Sequence, residues 1–409
     1  MNEGPRAVRC QRVVTCDPAR ASAGDPLGSI ADGAVVFDET TIRSVGPASD
    51  VPREVPVLDL GARVLTPGLV DAHTHAAWAG SRHAEYAVRM AGGDYEAILA
   101  AGGGILSSHR AIVQTAQGAL ADTLALRLTR MAALGVTTCE VKSGYGLLPH
   151  EELKQLRAIA AVTSRPGVPS VVPTLLALHA LPLDARANRE AYVRKAAEQL
   201  VPEVARARLA AYVDAYVDRN AFTVEEARRV GEAARAAGLG VRLHVGQFAD
   251  VGGAELAAEL GAASADHLEN VSEVGIAALA DARVHAVLLP IASLTLQQAP
   301  PPVAALRAAG VRLVVASDAN PGTAPTESLP LALAIAVRLY GLTPDEAILG
   351  STRVAASSLG LDDRGFLAPG QRADMVAWDL PHEHAIVQPW GTSRTSRVWC
   401  AGALVHSSG

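Results

Sequence analysis

Aromatic side chains supply only 4% of the 409 residues, so the core must be built from Ala, Val and Leu within a hydrophobic share of 49%. Small apolar residues of this kind suit helices packed closely on strands. Runs of Lys or Arg are missing and the net charge is -6, which excludes a nucleic-acid surface and points to small-molecule partners. Cysteine is scarce as well. Cys10, Cys16, Cys139 and Cys400 show neither CxxC spacing nor a dense framework, and read as reduced thiols of a cytoplasmic protein. The opening MNEGPRAVRC lacks the apolar centre of a secretory signal. Val284 to Leu306, the longest uncharged stretch, is broken by Pro290, Gln297, Gln298 and three consecutive prolines, so no membrane span is expected.

What is present is an alternation. From Val8 to about Leu60, short β-type pieces (Val8 to Val14, Gly33 to Phe37, Ile42 to Val45, Val55 to Leu58) are separated by Gly, Pro and Asp turns. The same texture returns after Gly365, with strands expected over Asp374 to Trp378 and Val398 to Val405. Between these ends, apolar runs alternate with Ala-rich helical stretches. Strands are expected at Val136 to Val141, Ser170 to Leu178, Leu209 to Val217, Gly240 to Val245, Ser264 to His267, Val284 to Pro290 and Val311 to Ser317. Helices are expected over 120–134, 151–161, 189–200, 224–237, 253–260, 329–340 and 345–359. No glycine-rich dinucleotide fingerprint follows the first strand, which covers Val64 to Val70, and this disfavours an open doubly wound sheet. The expected fold is α/β, a (β/α)8 TIM-like barrel over 65–364. Residues 1–64 and 365–409 would together form a small β-sandwich domain.

The segment PGLVDAHTH, Pro67 to His75, anchors the functional reading. Val64, Leu65, Leu69 and Val70 read as one buried strand, and His73 and His75, two residues apart, leave its same face. Such a pair is either half of a metal site or two hydrogen-bonded core histidines, and the rest of the chain must decide. In a barrel of this type the site lies where strands end. Walking those ends collects His73, His75, the run Lys142 to Gly146, His179, His244, His267 and Asp318. His73, His75, His244 and Asp318 offer three imidazoles and a carboxylate, enough to hold a divalent ion and leave a place for water. A bound ion would lower the pKa of that water toward ~7, which suits a hydrolase.

At these residues the chain resembles the amidohydrolase superfamily of metal-dependent barrels. Further segments, GSR at Gly80 to Arg82, GGGIL at Gly102 to Leu106, EVKSGYG at Glu140 to Gly146, SADHL at Ser264 to Leu268 and SDANPGT at Ser317 to Thr323, are similar to the imidazolonepropionase family. They occur in the same order along essentially the whole chain. The resemblance implies opening of the 4-imidazolone-5-propanoate ring to N-formimidoyl-L-glutamate in L-histidine degradation. It also implies one divalent or trivalent metal ion per subunit, zinc or iron, on His73, His75, His244 and Asp318, and a homodimer. Arg82, Tyr145 and His179 match family positions that hold substrate, and the Arg82 guanidinium suits a carboxylate. Asn320, Gly322 and Thr323 would hold the ligand's other end. His267 would stabilise the oxyanion or relay protons, and Asp318 would accept the proton of the attacking water.

Gln247 stands where some family members carry a glutamate. A neutral amide is no general base, so Gln247 would hydrogen-bond substrate. Lys142 is read as an ordinary lysine supporting a loop rather than a carboxylated metal bridge, and Gly102 to Gly104 as a lid or turn rather than a phosphate cradle. His285 and Cys139 are expected in the core. His83, His109, His150, His382, His384 and His406 are expected to be solvent-facing or local. Two other functions compete: a nucleobase aminohydrolase, which would leave the Arg82 clamp without purpose, and a binding protein that has lost catalysis.

Overall fold

The computed structural model describes residues 5–93 and 103–408, so Gly102 of GGGIL lies outside the described residues. Eight strands, Leu69–Asp71, Val136–Lys142, Ser170–Leu178, Tyr212–Val217, Gly240–Val245, Ser264–His267, His285–Leu288 and Leu313–Val315, pair in chain order and all in parallel. The two ends of that order meet. Thr74 bridges Ala319 in parallel, Asp318 N donates to His73 O (3.1 Å) and His75 N to Ala319 O (3.0 Å), which closes the sheet into a barrel. Closure therefore occurs at the very residues that carry the site.

A second sheet of eight strands takes its members from both ends of the chain. Val64–Pro67 is its splice, lying parallel to Arg6–Val14 and antiparallel to Met375–Trp378. The single strand expected over Val64 to Val70 is therefore two strands in two sheets. Both halves are fully buried, so hydropathy alone gives no sign of the break. Gly68 makes the passage possible, because a Cβ there would meet Thr137 Oγ1 at 2.0 Å. The changeover from one sheet to the other thus falls at Gly68.

Other differences have local causes. The strand expected over Val398 to Val405 is a hairpin, Thr395–Cys400 and Ala403–Ser407, turning at Ala401 and Gly402 with positive φ. Pro290 does not end a strand; it sits in the first turn of the helix Pro290–Leu296, where its missing N–H costs nothing. The helix expected over 345–359 breaks into Pro344–Gly350 and Arg353–Ser358. Ser351 and Thr352 hydroxyls between them donate back to Ile348 O. Helices Glu273–Asp281 and Val303–Ala308 were not foreseen at all.

The core follows the composition. Val70, Ala72, Val287, Val314 and Ala316 belong to one small-residue cluster, and a much larger Leu, Val and Ala cluster packs strands against helices. Cys10, Phe37, Leu65, Met375 and Trp399 belong to a separate core under the terminal sheet. All four cysteines are buried and unpaired, and burial pushes the Cys10 and Cys16 thiols up to about 12, so both are protonated. No helix among the described residues is long and apolar enough to cross a membrane.

Candidate active site

The first barrel strand ends at Asp71, and the next residues turn their side chains into the barrel mouth. Asp71 Oδ1 accepts from Ser317 N (3.0 Å), tying the first strand to the last. His73 and His75 then meet His244, which rises from the strand Gly240–Val245. Ligand-capable atoms of the three rings lie within 4.8 Å of one another. His75 Nε2 and His244 Nε2 are 3.2 Å apart, and Asp318 Oδ1 is 3.5 Å from both His73 Nε2 and His75 Nε2.

Hydrogen bonds on the far side of two rings set which nitrogen faces inward. His73 Nδ1 lies 2.6 Å from Asp266 Oδ2, and His244 Nδ1 lies 3.0 Å from Asp214 Oδ1. Each carboxylate accepts the ring N–H and leaves the Nε2 lone pair turned toward the centre. Burial, aided for His73 by Lys142 and for His75 by His179, holds both groups well below the ordinary histidine range, so the rings are neutral. The buried His73 Nε2 has no hydrogen-bond partner. Lone pairs aimed at one point would repel each other without a cation between them. Two nitrogens bound at about 2.0–2.1 Å to a tetrahedral ion would be separated by roughly 3.3 Å, close to the observed His75–His244 spacing. The donor set fits a divalent metal ion.

Asp318 and His267 face this centre from strained backbone. Their φ values are +54° and +82°, and Leu268 follows at +71°. Left-handed conformations of non-glycine residues cost about 1–3 kcal/mol each and persist where neighbouring structure enforces them. Burial pushes the Asp318 carboxyl up to about 7. For His267, burial works against charge, but Glu269, reinforced by Asp318 and Asp266, outweighs it and raises the pKa. Glu269 Oε1 lies 3.6 Å from His267 Nδ1 and accepts from Ser293 Oγ (2.5 Å).

Around the centre, His75, Tyr145 and His179 wall one side of a cavity, with His75 and His179 stacked at 5.2 Å. His179 Nδ1 donates to Gly144 O (2.8 Å), leaving Nε2 as an acceptor, and burial lowers its pKa to about 3. Gln247, Asn320, Thr323 and Arg82 also line this cavity, and Arg82 lines a second, larger cavity as well. Gln247 Oε1 accepts from Tyr216 OH (2.7 Å), which leaves its amide N–H groups as donors.

The loop after Asp318 departs from expectation. Gly322 N and Thr323 N both donate to Asn320 Oδ1 (2.8 and 2.7 Å), so these donors shape the loop. Gly322 itself is not a wall of the cavity; it backs Arg82. A Cβ on Gly322 would meet Arg82 Nη1 at 2.1 Å and Cζ at 2.5 Å. Gly322→Ala should therefore displace the guanidinium and raise KM about 10- to 100-fold, the worth of a charge-assisted hydrogen bond. Steady-state kinetics with KM within twofold of wild type would count against this.

Several residues escaped the sequence reading. Tyr216, Phe248 and Ile105 line the cavity, Asp214 and Asp266 hold the Nδ1 side of His244 and His73, and Glu269 pairs with His267. Asp214 had a signal, a lone acid in the apolar strand YVDAYV. Lys142 does more than support a loop. Its Nζ is ion-paired with Glu140 and Asp214, and although burial opposes its charge, the carboxylates raise its pKa; it is an ammonium, not a carboxylated metal bridge.

The chain is similar to known proteins. The profile of the Amidohydrolase family matches residues 64–405. An imidazolonepropionase from Rhizorhabdus wittichii is 42% identical over 397 residues, covering 96% of this chain and 99% of its own. One from Paracoccus denitrificans is 44% identical over 362 residues, covering 87% and 90%. The chain belongs to the amidohydrolase family, among its imidazolonepropionases. Solved structures of lower identity share the fold. A triazine hydrolase variant superposes with a TM-score of 0.75 at 16% identity, covering 99% of this chain and 95% of its own. A zinc-bound adenosine deaminase from Xanthomonas campestris gives 0.72 at 19% identity, covering 97% and 92%.

Proposed function

We propose that this amidohydrolase cleaves the ring amide C–N bond of 4-imidazolone-5-propanoate with water, giving N-formimidoyl-L-glutamate, a step of L-histidine degradation. The observation that carries the reading is the buried Arg82 lining the same cavity as His75, His244 and Asp318 of the three-histidine, one-aspartate centre. We read 65–364 as the hydrolase unit, with 1–64 and 365–409 as its companion sandwich. The ion we assign to His73, His75, His244 and Asp318 is zinc or iron; neutral imidazoles with one carboxylate suit both. When bound, it would supply a water of lowered pKa and a positive charge to favour attack on the ring carbonyl.

The chain's own residues do the rest. Arg82 takes the propanoate, which fixes how far the ring enters the cavity. His179 Nε2 accepts from a ring N–H, and the Gln247 amide donates to the ring's other edge. As the water oxygen bonds to the ring carbonyl carbon, its proton passes to Asp318. Protonated His267, held by Glu269, donates to the oxyanion that forms. Collapse breaks the ring C–N bond, and the proton on Asp318 goes to the departing nitrogen. The raised pKa of His267 suits it to hold a proton near neutral pH.

A truncated substrate tests the clamp. The imidazolone ring without its propanoate should lose about 10²-fold or more in kcat/KM, because the charge-assisted contact to Arg82 is then unmade. Equal turnover of the truncated ring, or release of ammonia from nucleobases without turnover of the imidazolone, would contradict the proposed substrate.

A further inference from the structure

Beneath the three imidazoles lies a knot of buried charge that takes no part in bond making. Lys142 Nζ is 2.8 Å from Glu140 Oε1, 2.8 Å from Asp214 Oδ2 and 3.8 Å from Asp266 Oδ2. Each of these carboxylates has a second partner on the ligand side. Asp214 holds His244 Nδ1 (3.0 Å) and Asp266 holds His73 Nδ1 (2.6 Å). Glu140 Oε2 accepts from Thr74 N (3.1 Å), the peptide between His73 and His75. Arg242 closes the far side, 3.8 Å from Asp266 and donating to Ala72 O (2.9 Å). Glu140, Lys142, Asp214, Arg242 and Asp266 are all 0% exposed.

Taking charges out of water costs several kcal/mol per ion, and replacing such a network with apolar residues is often neutral or stabilising. Global stability is therefore a poor account of it. The connectivity offers a better one: every path from Lys142 leads, through one carboxylate, to a ligand ring or to the backbone between two of them. We propose that Lys142 is a positioning residue for the metal, a single ammonium that sets the orientation of His73, His244 and the His73–His75 backbone through Asp266, Asp214 and Glu140. The proposal rests on the metal-dependent reading above. It differs from a packing role, because methionine fills nearly the same volume without the charge.

Zinc affinity of the full-length protein, measured by competition with a chromophoric chelator, tests this without any substrate. Lys142→Met should raise the zinc dissociation constant about 10- to 100-fold, the usual cost of losing an outer-layer partner of a metal ligand. The paired variant Glu140→Gln/Lys142→Met removes one anion with one cation, so the buried charge balance is unchanged. It should still weaken zinc binding by about 10-fold or more, because Asp214 has lost its tether. Zinc binding within twofold of wild type in either folded variant overturns the proposal. So does failure of both to fold, which would make Lys142 a structural ion-pair member. Wild-type protein that binds neither zinc nor iron would refute the metal assignment and this proposal with it, and substrate failure would leave this measurement unaffected.

Discussion

Replacing His267 with Asn is expected to lower kcat by about 10²- to 10⁴-fold while leaving metal content unchanged, the range for loss of a positioned acid or base. His267 is oriented by Glu269 at 3.6 Å and faces the cavity from a backbone at φ +82°. Asparagine tolerates that backbone better than most residues, so the substitution removes the imidazole without adding strain. Metal content should hold because His267 is not among His73, His75, His244 and Asp318, the residues assigned to the ion. Glu269→Gln should lose a smaller share of kcat, about 10-fold, because the ring remains and only its charge support is weakened. Turnover at the wild-type rate in His267→Asn, measured beside elemental analysis, would remove His267 from the mechanism.

His244→Ala is expected to fail at an earlier stage. The change deletes one of the three clustered rings and leaves Asp214 Oδ1 without the imidazole it faces at 3.0 Å. Bound metal should fall below about one-tenth of an equivalent after dialysis, and turnover by on the order of 10³-fold or more, since the ion's contribution to the barrier is several kcal/mol. His179→Ala is the matched control. That ring stacks on His75 at 5.2 Å but is outside the cluster, so metal should stay and KM should rise. Full metal occupancy in His244→Ala would show that the ion is held elsewhere.

The contrast between those two histidines marks what could be read from the sequence. His73, His75, His244 and Asp318 were legible because parallel barrels place their chemistry at strand ends, and each of these residues ends or follows an apolar run. Their outer partners were not. Asp266 pairs with His73 across 193 positions and Asp214 with His244 across 30, and neither pairing leaves a periodic trace. Glu269 and Tyr216 share that difficulty, since their roles depend on which side chain the closed barrel sets opposite them. Gly322 was legible as a position and not as a function; its lack of a Cβ matters only because Arg82 folds over it.

The alternation of strands and helices was visible through most of the chain, yet the buried run Val64 to Val70 concealed the change from one sheet to the other at Gly68. Helices of low amphipathicity and short length, such as Glu273–Asp281, carry little period to detect.

The most direct test is turnover of enzymatically generated 4-imidazolone-5-propanoate, followed as loss of its ultraviolet absorbance, by protein stripped of metal and then reloaded with zinc or iron. The expected result is no absorbance loss in the stripped protein and recovery at about one metal equivalent per chain, with N-formimidoyl-L-glutamate as product. Metal bound at that stoichiometry with no absorbance loss would contradict the proposed reaction.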